Sequence, residues 1–301
     1  MARLGGVLGL ALSLASACAM PCLADEANGE KETPKVGLKV GADLYYGLSN
    51  IMGPTKRHTD GQWAGVGYYY PSALLLDWAG KGGDAARMSF GVGDMYVGSD
   101  RTTQQPIECF YAAQTGSGRL TLGKHYVPFC LQEWQYETRW GAMYEADVSG
   151  NAVSVSLTHN RDTQALNTLA RVGRKLADGT EVGISGAAGR GWSYGSSHAW
   201  GYGVDVTREI GAVTLTGEYM EARGGCGAFQ FGFARLQVEA APSCRPYLAL
   251  YYAHDVADEM GEVRSGVLGV EVDVCPHFVL EPGIGRASGR NVWYVQGHLT
   301  F

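Results

Sequence analysis

Charge is scarce in this chain: of its 301 residues only 18% are Asp, Glu, Lys or Arg. The 24 basic residues form no cluster and are outnumbered by 30 acidic ones, for a formal net charge of −6. A nucleic-acid partner needs a concentrated positive field, so that class is excluded. Histidine is sparse, and His58, His125, His159, His198, His254, His277 and His298 show no H-E-x-x-H or i,i+4 ligand spacing. The cysteines carry no C-x-x-C or zinc pattern. No metal or cofactor is expected. With no recognisable catalytic triad either, the chain is expected not to be an enzyme. Long apolar runs are also missing beyond residue 24. The longest candidate, Ser72 to Gly80, contains Asp77 and falls short of the ~18 residues a transmembrane helix needs.

What is abundant is glycine, 44 residues, and tyrosine, 17. Glycine usage is roughly twice the ordinary level, yet it has no three-residue period, which excludes collagen. Apolar residues make up 46%, too many for a disordered chain. The first segment stands apart. Arg3 gives a positive start, Val7 to Leu14 an apolar stretch, and small residues follow, so residues 1–24 are expected to be a signal peptide cut after Ala24 (Ala19 is a second possible site). A lipid anchor through Cys18 is the less favoured alternative, because Ala15 sits where Leu is preferred. Residues 25–35 are charged and are expected to be a flexible tail.

From residue 36 onward the period is two. In Asn291 to Phe301 the odd positions carry Trp293, Val295, Gly297, Leu299 and Phe301, and the even ones Tyr294, Gln296, His298 and Thr300. In a strand those sets point to opposite faces. The same dyad runs through Val36 to Tyr46, Trp140 to Val148, Val153 to Thr158, Trp200 to Thr207, Ala212 to Tyr219 and Val267 to Val274. A soluble sandwich also alternates. These strands, however, run about ten residues, the length of a tilted membrane strand, and their second face is Gly, Ser, Thr and isolated charges, as a wet lumen requires. Aromatics at Tyr45, Tyr46, Tyr68, Tyr69, Tyr70, Trp140, Trp200 and Phe301 fall toward strand ends, where interfacial girdles lie.

The pattern predicts an all-β fold, a transmembrane antiparallel up-and-down barrel of about sixteen strands over residues 36–301, with fourteen to eighteen allowed. The second strand is placed at 62–70 and a turn at 71–85, although Ala73 to Trp78 has strand character of its own. Asp94 and Arg235 fall on the apolar parity, and Lys124 shares parity with Leu120 and Leu122. On lumen parity lie the acids Asp43, Glu145, Asp147, Asp205, Glu218, Glu271, Asp273 and Glu281, against the bases Lys39 and Arg171. Such a wall concentrates cations, so a weak cation preference is expected unless the charges pair across strands and cancel.

Two motifs carry a family resemblance. Phe301, preceded by apolar residues at alternate positions, resembles the C-terminal assembly signal of bacterial outer-membrane proteins. Leu120-Thr-Leu-Gly-Lys-His-Tyr-Val-Pro-Phe129 resembles a passage of Gram-negative porins. The resemblance implies a homotrimeric diffusion channel for small hydrophilic solutes, surrounded by outer-membrane lipid and lipopolysaccharide and inserted by the barrel assembly machinery. It also implies that the loop after the fifth strand, Val127 to Arg139, folds inward. Glu133, Glu137 and Arg139 would be its constriction charges and Trp134 and Tyr136 its bulk; the alternative is a solvated surface loop. A non-conducting structural or adhesive barrel and a barrel enzyme are the alternative functions.

Other motifs weigh less. Gly191-Trp-Ser-Tyr-Gly195 matches a nucleophile-elbow pattern but has no helix to follow it. Asp255 to Glu262 is acidic but lacks calcium-loop spacing. Among Cys109, Cys130, Cys226, Cys244 and Cys275, an odd number, Cys109 and Cys130 are the candidate pair to pin the inward loop, and Cys244 with Cys275 a weaker one.

Overall fold

A computed structural model describes residues 36–51, 54–59, 61–63, 67–93, 106–132, 137–160, 164–192, 198–224, 227–255 and 261–301. The expected signal peptide and tail lie outside them, as do Glu133, Trp134, Tyr136, Asp94, Cys226 and most of the 193–197 and 256–260 loops.

In chain order the strands are β1 (Gly37–Ser49), β2 (Lys56–His58), β3 (Gly61–Trp63), β4 (Gly67–Tyr70), β5 (Ala73–Ala79), β6 (Ala85–Gly91), β7 (Glu108–Thr115), β8 (Gly118–Tyr126) and β9 (Thr138–Val148). They continue as β10 (Asn151–Asn160), β11 (Ala165–Lys175), β12 (Glu181–Ala188), β13 (His198–Ile210) and β14 (Val213–Gly224). The last are β15 (Gly227–Val238), β16 (Cys244–Asp255), β17 (Gly261–Cys275), β18 (Phe278–Ala287) and β19 (Arg290–Thr300). From β5 onward each strand pairs antiparallel with the next, and β1 pairs with both β5 and β19, closing a barrel of sixteen strands. A closed sheet leaves no edge unpaired, which is what a hydrocarbon surround demands of a strand protein.

The strand number agrees with the expectation, but one strand is a different segment. The second barrel strand is split: β2 pairs with the upper part of β1 (Gly47↔His58) and β5 with its lower part (Asp43↔Ala73, Gly37↔Ala79). Between them the chain leaves as the separate β3–β4 hairpin, so residues 62–70 are not the barrel strand and 73–79 are no turn. Ser72 closes the gap. Its Oγ accepts from Tyr45 N–H at 2.7 Å and donates to the Thr59 carbonyl at 2.5 Å. The reason for the choice lies in the parity of β5, which exposes Leu74 and Trp78 outward and turns Asp77 inward, where Arg87 of β6 meets it at 2.6 Å.

The outer face is apolar in every described barrel strand sampled. Leu38, Val40, Tyr111, Leu122, Leu157, Ile184, Val204, Leu250, Leu268 and Val295 are all exposed there. Residues that broke the alternation are resolved by position. Lys124 does face outward, near a strand end, and its Nζ donates back to the Pro106 carbonyl at 2.7 Å, as a snorkelling lysine does. Arg235 faces inward because the whole odd parity of β15 is inward: Phe229, Phe231 and Phe233 are buried with it, leaving Ala234 and Leu236 to the outside. The expectation of a uniformly polar interior fails here. Together with Tyr247 and Tyr251 of β16, Val267 of β17 and Tyr294 of β19, these rings form an apolar core inside the barrel.

Candidate functional site

The interior is divided by the chain itself. Pro128 lacks an N–H and ends β8, after which Val127, Phe129 and Cys130 are buried across the lumen. The Cys130 N–H donates to Ser185 Oγ of β12 at 2.8 Å and the Leu131 N–H to Glu218 Oε2 of β14 at 2.9 Å. Gln132 Nε2 donates to the Val127 carbonyl at 2.8 Å, closing the loop on itself. The close approach requires Gly203 on β13, where a Cβ would sit 2.2 Å from Cys130 Sγ. It also costs backbone strain: Cys130 and Gln132 have φ of +49° and +66°, a region that non-glycine residues rarely visit. A second inward element meets the first. Trp192, in the loop after β12, is wholly buried with its ring 4.8 Å from that of Phe129. Burial, with Glu218 and Asp205 nearby, pushes the Cys130 thiol pKa up, so the sulfur stays protonated.

On the other side of this loop lies a cavity of about 300 Å³. Its charged lining is Glu108, Arg119, Glu145 and Arg171, with His125 on the wall and Gln132 on the loop. His125 Nε2 lies 2.9 Å from Ser156 Oγ and Nδ1 lies 3.1 Å from the Gly123 carbonyl.

Of the expected constriction residues, Glu137 and Arg139 are described. Arg139 belongs to β9 rather than to the loop and is buried, with Nη2 2.9 Å from Glu137 Oε2. The expected lumen residues lie on inward parity, and most acids there are engaged. Asp205 of β13 takes Arg171 of β11 at 2.6 and 3.0 Å, spanning β12 above Gly183, where a Cβ would sit 2.4 Å from the carboxylate. Glu271 holds Arg235 and Arg245, and Arg245 also holds Asp273 at 2.5 Å. Asp43 pairs with His298, which stacks on Tyr45 at 4.2 Å. Glu281 accepts from Tyr247, Tyr294 and Gln296. Asp147 is spent on the turn after β9, accepting from Gly150 N–H at 2.9 Å. Lys39 is exposed near the short-turn end of β1.

Sequence reasoning missed the lumen bases Arg87, Arg119, Arg235 and Arg245 and the acids Asp77 and Glu108. Arg87 bridges Asp77 and Glu108 at 2.6 and 3.6 Å. Asp77 was hidden by the misplaced second strand, and Arg235 by reading its face as lipid-facing. The local pattern favours that misreading, because Ala234 and Gly232 on the other parity make poorer lipid-facing residues than three phenylalanines. The proposed disulfide is corrected. Cys109 and Cys130 are both free, because Cys109 shares outward parity with Tyr111 while Cys130 is inside; Cys244 and Cys275 are free as well.

No protein-family profile matches this chain, and no curated protein matches it. Solved structures do. An anion-selective porin from Comamonas acidovorans superposes with a TM-score of 0.67 at 10% identity, covering 89% of this chain and 100% of that one. The porin-type barrel is shown. OmpT of Vibrio cholerae, in its in-vitro folded trimer form, gives 0.65 at 11% identity over 88% and 99%, and a mutant Rh. blastica porin 0.61 at 8% over 88% and 100%. One expectation is overturned by these relations. Non-enzyme status rested on missing motifs, yet the fold is shared with chains named OmpT at 11% identity. A fold by itself decides nothing about catalysis.

Proposed function

We propose that the chain is an outer-membrane porin, a passive channel for small hydrophilic solutes and ions. The carrying observation is the loop pinned across a closed barrel by Ser185 and Glu218, beside a cavity lined by charges of both signs. On this reading the loop narrows a lumen that sixteen strands make wide enough for water. On this reading residues 1–24 direct export, the barrel forms a homotrimer amid lipopolysaccharide, Phe301 serves recognition by the assembly machinery, and Glu133, Trp134, Tyr136 and Glu137 complete the constriction. Because Asp205, Glu271 and Asp273 are ion-paired with arginines, any cation preference is weak and rests on Asp43, Glu145 and the remaining acids. The aromatic core inside β15–β17 favours a second reading, a non-conducting structural barrel. Liposome swelling with sugars of graded size, alongside planar-bilayer conductance, separates the two. Size-dependent swelling supports the porin; folded barrel without swelling or conductance refutes it. A reversal potential on the anion side in a salt gradient removes the cation preference alone.

A further inference from the structure

Four charged side chains line the cavity beside the inward loop, and two of them are already engaged. Arg171 is held by Asp205 at 2.6 Å, and Glu108 faces Arg87 at 3.6 Å. The other two, Arg119 of β8 and Glu145 of β9, make no ion pair or hydrogen bond with any described residue. Yet they are direct cross-strand partners, and the same row continues in register through Ser154 of β10 to Arg171 of β11. The row faces the lumen, because Leu122, Tyr144, Val155 and Val172 on the other parity are exposed outside. Neighbouring strands lie about 4.8 Å apart, so opposite charges placed in this way ordinarily stabilise the sheet by meeting each other. Here both border the cavity without meeting. Arg119 Nε is sealed from water with no acceptor, and a buried donor left unsatisfied is costly.

A solute carrying both charges completes this pair, and a solute carrying one does not. The guanidinium fork of Arg119 matches a carboxylate at two points, and an ammonium beside that carboxylate falls against Glu145 one strand away, with the Ser154 hydroxyl as a further acceptor. An ion of single sign would leave the opposite wall charge unpaired while stripping it of water, which costs more than it returns. An α-amino acid bears the two groups on one carbon, the spacing that adjacent strands offer. Toward the loop the lining turns apolar. Met143 stands two positions along β9 from Glu145, and Phe110 of β7 is in register with Gly123, four positions along β8 from Arg119. The cavity, about 300 Å³, is at the small end of ligand pockets. Its occupant is therefore small, with a charged head and an apolar tail.

We infer that Arg119 and Glu145 form a lumen binding site for the carboxylate and ammonium of a zwitterionic α-amino acid with an apolar side chain. The inference rests on the porin reading, which gives solutes access to the cavity, and names a solute class for it. The test is saturation-transfer NMR of the full folded barrel in detergent, titrated with L-leucine, with isocaproate, which lacks the ammonium, and with isoamylamine, which lacks the carboxylate. R119Q, E145Q and a control, R174Q, whose side chain is exposed on the outer parity of Val172, are compared with wild type. Heat-modifiable gel mobility confirms folding, and either lumen variant decides alone if the other fails to fold. Leucine should bind wild type and R174Q alike, and R119Q and E145Q about tenfold more weakly; both analogues should bind wild type with a similar loss. No leucine binding to wild type, unchanged binding in R119Q or E145Q, an equal loss in R174Q, or an analogue that binds as tightly as leucine overturns the inference. Planar-bilayer conductance of the same samples separates the two readings. A barrel that binds leucine without passing current keeps the site and refutes the channel, and a conducting barrel that does not bind leucine keeps the channel and refutes the site.

Discussion

Replacing Phe129 by Ala should release the inward loop. Ordering residues 127–132 costs about 1–2 kcal/mol each in backbone entropy, roughly 6–12 in all. Against this stand two backbone hydrogen bonds to the far wall. Cys130 to the Ser185 hydroxyl contributes about 0.5–1.5 kcal/mol, and Leu131 to the Glu218 carboxylate about 1.5–3. Those bonds alone do not hold the segment. Phe129, fully buried against Trp192, supplies the difference: truncating a buried Phe to Ala costs about 3–5 kcal/mol. F129A should therefore leave the sixteen-strand barrel folded, since no ladder bond is touched, and free the loop to move in the lumen. Single-channel recordings in planar bilayers should show a higher mean conductance with more open-channel noise, and swelling assays a larger sugar cut-off. Wild-type conductance and noise from a folded F129A barrel would refute the reasoning, because the loop would then be held by something other than its apolar anchor.

Other outcomes follow from the lumen and the turns. Glu271→Gln removes the negative charge shared by Arg235 and Arg245 and one of its two acceptor oxygens; it should cost about 1–3 kcal/mol, discounted for the partial exposure of the pair, and shift the reversal potential toward anions, checked by urea unfolding and a salt-gradient recording. Gly283→Ala places a Cβ 2.4 Å from the Tyr294 ring, an overpacking cost of about 1–3 kcal/mol visible as a lower temperature for the heat-modifiable gel shift. In the turn before β6, the Tyr111 hydroxyl and Gln114 N–H hold the Asp84 carboxyl below its ordinary pKa. A depressed folded pKa means that this stabilisation is present above the unfolded value of about 3.9 and is lost as pH falls through the folded one. Thermal melts of wild type and D84N should differ slightly near neutrality and converge in acid; a gap that widens in acid would reverse the assignment.

The barrel was legible because its signal is redundant. Six separate dyads, from Val36 to Tyr46 through Val267 to Val274, place their apolar sets on the face that the structure turns outward. What period two cannot convey is which face is inside when both are apolar or one is small. At β15 the phenylalanines face in and alanine and glycine face out, a choice that goes with packing against Tyr251 of the neighbouring strand and the rest of the inner apolar cluster. Nor does it convey interruption. The gap between His58 and Ala73 is bridged by Ser72, a contact between segments that no local pattern announces. The ion pairs were half visible: Asp205 and Arg171 could be placed in the lumen, but their meeting depends on the register of three strands and on the missing side chain of Gly183.

The seam between β1 and β19 has a kinetic consequence. Ala42 and Phe301 exchange backbone hydrogen bonds at 2.6 and 3.0 Å, and Asn50 binds Trp293 across 243 positions of chain. Neighbouring hairpins can zip locally, but the ring stays open, with two unsatisfied borders, until its most distant segments find each other. Contacts of such separation form slowly, so the half-built cylinder is the vulnerable species, and a helper that shields those borders would matter more to its maturation than any added strength in the finished wall.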